Sequence, residues 1–266
     1  MAHMTEKAPA RVPDGRDLLL FFALACLITW ALDLPLALAF ATHVRPPSYA
    51  LSLVGLGAWG PTLAALIVAA RRRVLGSVFG RWRVNPLWVV AGLLLPAALH
   101  FPATLIDVAL GGHPAQWFYP PTRPENVAAM VMFPLGEEFG WRGFAYPRLA
   151  RRYGAVVGSL ILGTVWGVWH LGMLFTPDAG WPSLLLLGAY MVDLALQSVV
   201  MAWFFERGNR SLAVAIAIHA GAHLDNVYRS PGAGTRLQLL RLLVLLVAAS
   251  FAARGLAARR GEGRNA

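Results

Sequence analysis

The sequence predicts an all-α polytopic integral membrane protein with about eight transmembrane helices in one bundle, and three observations predict it. Apolar residues make up 58% of the 266 and charged residues 14%, with a mean hydropathy of +0.57, whereas soluble domains carry about 25% charged residues. Apolar runs near the ~20 residues needed to cross a bilayer recur along the whole length and leave no separate soluble domain of useful size. The basic residues fall in short clusters between these runs, and so read as topology signals rather than as a nucleic-acid surface despite a formal charge of +10.

In chain order the runs cover residues 17–41, 50–70, 86–110, 127–147, 154–175, 183–205, 211–228 and 237–254. The first begins beside Asp14 and Asp17, lacks a small-residue cleavage site and outlasts a signal peptide, so it is expected to be retained. Pro/Gly-rich joints ("RPPSY", "YPPTRPEN", "TPDAGWP", "RSPGAGT") alternate with arginine-rich ones, and no repeat of fixed period is visible. The expected organisation is a tail over 1–16, of which 1–3 read as an expression scar, a transmembrane domain over 17–254, and a basic tail over 255–266. With a cytoplasmic amino terminus, seventeen basic residues fall on the cytoplasmic side and only Arg45, Arg123, Arg229 and Arg236 on the other. The positive-inside rule therefore favours eight crossings with both termini cytoplasmic, in a bacterial inner membrane or a plasma membrane. Only Lys7 of the 23 basic residues is lysine, which fits a GC-rich bacterial genome. The single Cys26 excludes an internal disulfide and a cysteine-rich metal site.

Charged side chains inside a span cost at least ~2.5–3.5 kcal/mol on insertion scales, so each asks for a partner, water or a function. "MFPLGEEFGWRGFAYPRLARR" places Glu137 and Glu138 side by side in an apolar run with Arg142 four residues on. On a helix Glu138 and Arg142 stand at i and i+4 and can pair, while Glu137 points about 100° away and keeps its carboxylate. "GTVWGVWHLGMLF" puts His170 one turn after Trp166, and "AIAIHAGAHLDNV" puts His219 and His223 at i and i+4 with Asn226 at i+7 on roughly the same face. Each group alone also suits a structural role, as a salt-bridge network, a packed histidine or an interhelical hydrogen-bond cluster. Together they offer what amide hydrolysis needs: a base to take a proton from water and return it to the leaving amine, and donors for the developing oxyanion.

With these residues the sequence resembles the CAAX-protease and bacteriocin-processing (Abi) family of intramembrane proteases, whose pattern is EExxxR on one helix, FxxxH on a second and HxxxN on a third. Glu137, Glu138 and Arg142 match the first motif, with the "RGFAYPRL" continuation. Trp166 and His170 match the second with tryptophan for phenylalanine, and His219 matches the third with His223 in place of asparagine. The motif core lies within residues 130–226. The resemblance implies an α-helical endopeptidase in which Glu137 activates a water, Glu138 is held by Arg142, and His170 and His219 position the water or stabilise the oxyanion. His223 or Asn226 would stand in for the family asparagine. No cofactor is favoured. The expected partners are membrane lipids and a peptide or membrane-associated protein substrate, with no nucleic acid and no oligomeric state specified; a bacterial source argues against a prenylated CAAX substrate.

Two other readings stay open. His219 and His223 with Glu137 or His170 could hold zinc, although no HExxH sequence accompanies them. A non-catalytic membrane immunity or scaffold protein could use the same cluster for binding. Asp33 and Asp107 are expected to be satisfied by proline-freed backbone groups or end-of-span water, and Asp193, with Gln197 at i+4, is the candidate to support the site. Trp117, Tyr119, Trp181 and Tyr228 read as interfacial anchors. Depth is the one inconsistency: at 1.5 Å per residue His219 lies about 12 Å, and His170 about 24 Å, from the cytoplasmic ends of their segments. An interfacial helix in "GFAYPRLARRYG" would reconcile them.

Overall fold

A computed structural model describes residues 15–113, 124–175, 181, 183–224 and 235–262. Among them no β-strand forms, and ten α-helices follow one another: α1 Gly15–Ala41, α2 Ala50–Gly57, α3 Gly60–Arg71, α4 Pro86–Ala109, α5 Pro124–Glu138, α6 Tyr146–Tyr153, α7 Ala155–Trp169, α8 Leu184–Arg207, α9 Leu212–Leu224 and α10 Thr235–Glu262. A π-helical segment, Phe139–Ala145, joins α5 to α6, and a 3₁₀ segment, His170–Leu174, extends α7.

Over the described residues every expected apolar run is helical apart from a break at 58–59, but the runs are not equal. Five segments are long and apolar enough to cross a membrane alone: Gly15–Ala41, Pro86–Ala109, Ala155–Leu174, Leu187–Arg207 and Thr235–Ala258. The pair α2 and α3, bent by 43° at a short break, makes a sixth if it counts as one span. The fourth and seventh expected segments, 127–147 and 211–228, correspond to α5 and α9, described over 15 and 13 residues, short of the ~20 that a full crossing needs. These two carry the acidic pair and the two histidines. The "GFAYPRLARRYG" stretch does divide, since Tyr146–Tyr153 is a separate helix with Arg151 and Arg152 in its last turn.

The bundle is apolar on its surface as well as in its core, and buries several polar side chains. Large apolar side chains such as Leu19, Leu27 and Leu38 on α1, Leu184 and Leu185 on α8, and Leu239, Leu243 and Phe251 on α10 are exposed, while Thr29, Asp33, Glu137, Glu138, Arg142 and His219 are buried. An outer surface of this kind suits lipid, where burying leucine against leucine brings no gain over leucine against acyl chain. Helix pairs accordingly close through small residues. Gly163 and Gly167, four apart on α7, approach the backbone of α8 at Leu194–Ala195 and Met191, where a Cβ would clash, and α7 with α8 is the most extensive helix contact. The buried core runs through Phe21, Trp141, Phe144, Leu162, Trp169 and Val200.

The acidic residues outside the glutamate pair meet different fates. Asp17 pairs with Arg72 at 2.9 Å, tying the start of α1 to the end of α3. Asp107 pairs with Arg236 at 2.6 Å, so an arginine of α10 satisfies it rather than a proline-freed backbone group. Asp193 accepts from Gln197 at 2.6 Å, as their spacing suggests. Asp33 departs from expectation: it is 1% exposed, and neither carboxyl oxygen has a hydrogen-bond partner among the described residues. Pro35 frees a carbonyl, which is an acceptor and so gives an ionised carboxylate nothing. Trp181 is exposed, as an interfacial anchor should be; Trp117, Tyr119 and Tyr228 lie outside the described residues.

Candidate active site

Glu137 and Glu138 end α5, and the chain then widens into the π-helical turn that carries Trp141 and Arg142. Such single-turn insertions concentrate at functional sites because they re-aim side chains without ending the helix. Here close approach accompanies the widening: Gly140 lies against the Pro61 carbonyl and Gly143 against that of Val78, positions that any Cβ would invade. Arg142 still faces Glu138, with Nη1 donating to Oε1 at 2.9 Å and both side chains buried. Arg142 Nη2 reaches the Met201 sulfur at 3.1 Å and Ser198 Oγ at 3.5 Å on α8, and its guanidinium lies 4.7 Å from the Trp166 ring centre.

Glu137 has a different environment. Its Oε2 accepts from Trp166 Nε1 at 2.8 Å and from Trp141 Nε1 at 3.3 Å. Its Oε1 lies 3.9 Å from His219 Nε2, beyond hydrogen-bond length. The other nitrogen of that imidazole, Nδ1, is 3.0 Å from Glu138 Oε1. Thus one ring on α9 addresses both glutamates. A hydrogen on Nδ1 donated to Glu138, whose charge Arg142 balances, leaves Nε2 directed at Glu137.

His223 stacks on His219, ring centres 5.2 Å apart and planes 16° from parallel, with Phe133 edge-on at 6.0 Å. His170 stands on the far side of Trp166: its Nδ1 is 2.8 Å from the Trp166 carbonyl oxygen, and Trp169 and Tyr190 pack on its ring at 4.6 and 5.4 Å. Glu137, Glu138, Arg142, Trp166 and His219 therefore form one directly contacting cluster, His223 extends it along α9, and His170 adjoins it through Trp166. Trp166, one turn before His170 in the chain, is the residue that links the two histidines, its ring centre lying 5.2 Å from that of His219. Asn226 lies outside the described residues.

Three contributors escape a motif reading. Trp141 donates to Glu137 from the i+4 position, a spacing that repeats the Glu138–Arg142 pair one residue earlier and was available as a signal. Ser198 and Met201 belong to no polar pattern on α8. As for metal, among the described residues no three His, Cys, Asp or Glu side chains group as ligands. The two nitrogens of His219 are directed at two different carboxylates.

Residues 121–224 match the family model described as type II CAAX prenyl endopeptidase Rce1-like. This segment is similar to that family. The match supports the family resemblance drawn from Glu137, Glu138, Arg142, His170 and His219, all of which it contains. The protein named CAAX prenyl protease 2 of Methanococcus maripaludis is 23% identical over 175 residues, covering 60% of this chain and 63% of that protein. The chain thus matches a little under two thirds of the relative's length. The Rce1-like segment holds α5 to α9 and with them every site residue described above, whereas α1 to α4 and α10, which enclose it, lie outside it.

Proposed function

We propose that the protein is an intramembrane endopeptidase in which Glu137 activates water for attack on a peptide bond. The observation that carries this reading is the division of labour at Glu137: two indole N–H groups occupy Oε2, while Oε1 faces His219 Nε2 at 3.9 Å. A water lying beside both atoms reaches each at ordinary hydrogen-bond length. Its oxygen attacks the carbonyl carbon as one proton passes to Glu137 Oε1. The tetrahedral intermediate collapses when that proton reaches the leaving nitrogen, the C–N bond breaks, and a carboxylic acid and an amine separate, the second water hydrogen leaving with the acid. His219, its Nδ1 held by Glu138, orients the water; Glu138 and Arg142 balance each other and fix the imidazole. His223 is the donor proposed for the oxyanion, and His170, whose Nδ1–H is given to the Trp166 carbonyl, is proposed to position the water through its other nitrogen.

The Rce1-like match and the name of the archaeal relative support an endopeptidase, and the exposed apolar girdle supports a substrate presented from the membrane as a peptide or membrane-associated protein. The excess of arginine at the expected cytoplasmic joints supports cytoplasmic termini. The reading requires no metal. The test is cleavage of a fluorogenic membrane-anchored peptide library by purified protein in liposomes. Wild type should cleave, Glu137→Gln should lose at least about a hundredfold in kcat, and activity should survive metal chelation. Glu137→Gln with wild-type activity overturns the glutamate reading; chelator-sensitive activity with stoichiometric zinc replaces it with the metal-dependent one.

A further inference from the structure

The Rce1-like match begins at residue 121 and so excludes α1, yet α1 packs Phe21 and Phe22 on Trp141 and joins the site's surroundings by a buried hydroxyl. Thr29 is completely buried. Its Oγ1 donates to the Gly57 carbonyl at 2.7 Å and accepts from Trp169 Nε1 at 2.8 Å, so its one donor and one of its two acceptor sites are used. The neighbouring Trp30 donates through Nε1 to the Trp169 carbonyl at 3.0 Å, fixing the backbone of the same residue.

Both ends of this link abut the proposed catalytic groups. Trp169 packs edge-to-face on His170 with ring centres 4.6 Å apart and on Trp141 at 5.9 Å, and Trp141 is a donor to Glu137. Gly57 is the last residue of α2, and the following Ala58 lies with its carbonyl against Gly136, immediately before Glu137. A single hydroxyl therefore pins the break between α2 and α3, which backs Glu137, and the indole that sets His170 and Trp141. Its alignment tolerance is small, because displacing a catalytic group by about 1 Å can cost roughly a hundredfold in rate.

We propose that Thr29 is a positioning residue, acting through Trp169 and Gly57 to hold His170, Trp141 and Glu137 in register. The proposal rests on the endopeptidase reading for its kinetic consequence, but not for its structural one. Thr29→Val keeps the shape and deletes the hydroxyl; Thr29→Ser keeps the hydroxyl and deletes the methyl. In the full chain in nanodiscs, Thr29→Val should lower kcat by about tenfold or more with KM unchanged, Thr29→Ser should stay within about twofold of wild type, and Trp169→Phe, which removes the N–H donor, should resemble Thr29→Val. Fluorine NMR of 5-fluorotryptophan protein, with Trp169 and Trp141 assigned by single phenylalanine substitutions, should show both resonances displaced in Thr29→Val and unmoved in Thr29→Ser. Wild-type turnover in Thr29→Val, Thr29→Ser as slow as Thr29→Val, or unmoved resonances in Thr29→Val would each overturn the proposal. If Thr29→Val does not fold, Trp169→Phe and Thr29→Ser decide it: wild-type kcat in the first, or a slow second, sinks it. A wild type without Glu137-dependent cleavage defeats the endopeptidase reading, while the resonances still report on the link.

Discussion

The indole N–H of Trp166 donates to Oε2 of Glu137 at 2.8 Å across 29 residues of sequence. The bond fixes one carboxylate oxygen and so decides which face of Glu137 is left to act. The position of Trp166 in the second motif thus acquires a physical role: an aromatic ring there packs against His219 and His170, and an indole in addition carries a donor.

Trp166→Phe should preserve the ring contacts while releasing Glu137 Oε2 from its shorter bond. We expect kcat to fall roughly tenfold to a hundredfold with little loss of thermal stability. Trp141→Phe, which removes the longer bond of 3.3 Å, should cost less. Steady-state kinetics with melting curves for both variants check the ordering; a larger effect from Trp141 would make its bond, not that of Trp166, the one that fixes Oε2.

Arg142→Ala removes the charge that balances Glu138 in a fully buried pair. Breaking such a pair by deleting one partner costs about 3–5 kcal/mol, so lower yield and a lower Tm in detergent should accompany lost activity. Arg142→Ala with Glu138→Gln should recover part of the stability, since no unpaired charge then remains. A single variant as stable as wild type would mean that Glu138 is held by another group.

His223→Asn tests the departure from the family pattern. His223 stacks on His219 and matches the position of the family asparagine, so asparagine should retain substantial peptidase activity as a neutral donor. Elemental analysis of wild type and variant makes the comparison decisive. Zinc near one per chain in wild type, lost together with activity in His223→Asn, would establish the metal-dependent alternative, because asparagine is a poor zinc ligand.

The sequence by itself determined the helical segments and the residue types of the site. Apolar runs of membrane length have one main way to satisfy their backbone, as helices, and over the described residues the eight runs are helical, though 50–70 and 127–147 are broken into shorter pieces. The Glu138–Arg142 and Asp193–Gln197 pairs were legible for the same reason, since i and i+4 positions meet on any helix whatever surrounds it. Local spacing carries no information about contacts between helices. Only the tertiary structure decided that the two nitrogens of His219 address two different glutamates, that two indoles occupy one oxygen of Glu137, that Asp107 finds Arg236 on α10, and that α1 reaches the site through Thr29. It also decided the π-helical turn after Glu138, where Gly140 and Gly143 meet backbone of residues that lie more than sixty positions away in the chain. Those choices follow from which buried polar atom lies within about 3 Å of which other, and that is set by how small residues let the helices close.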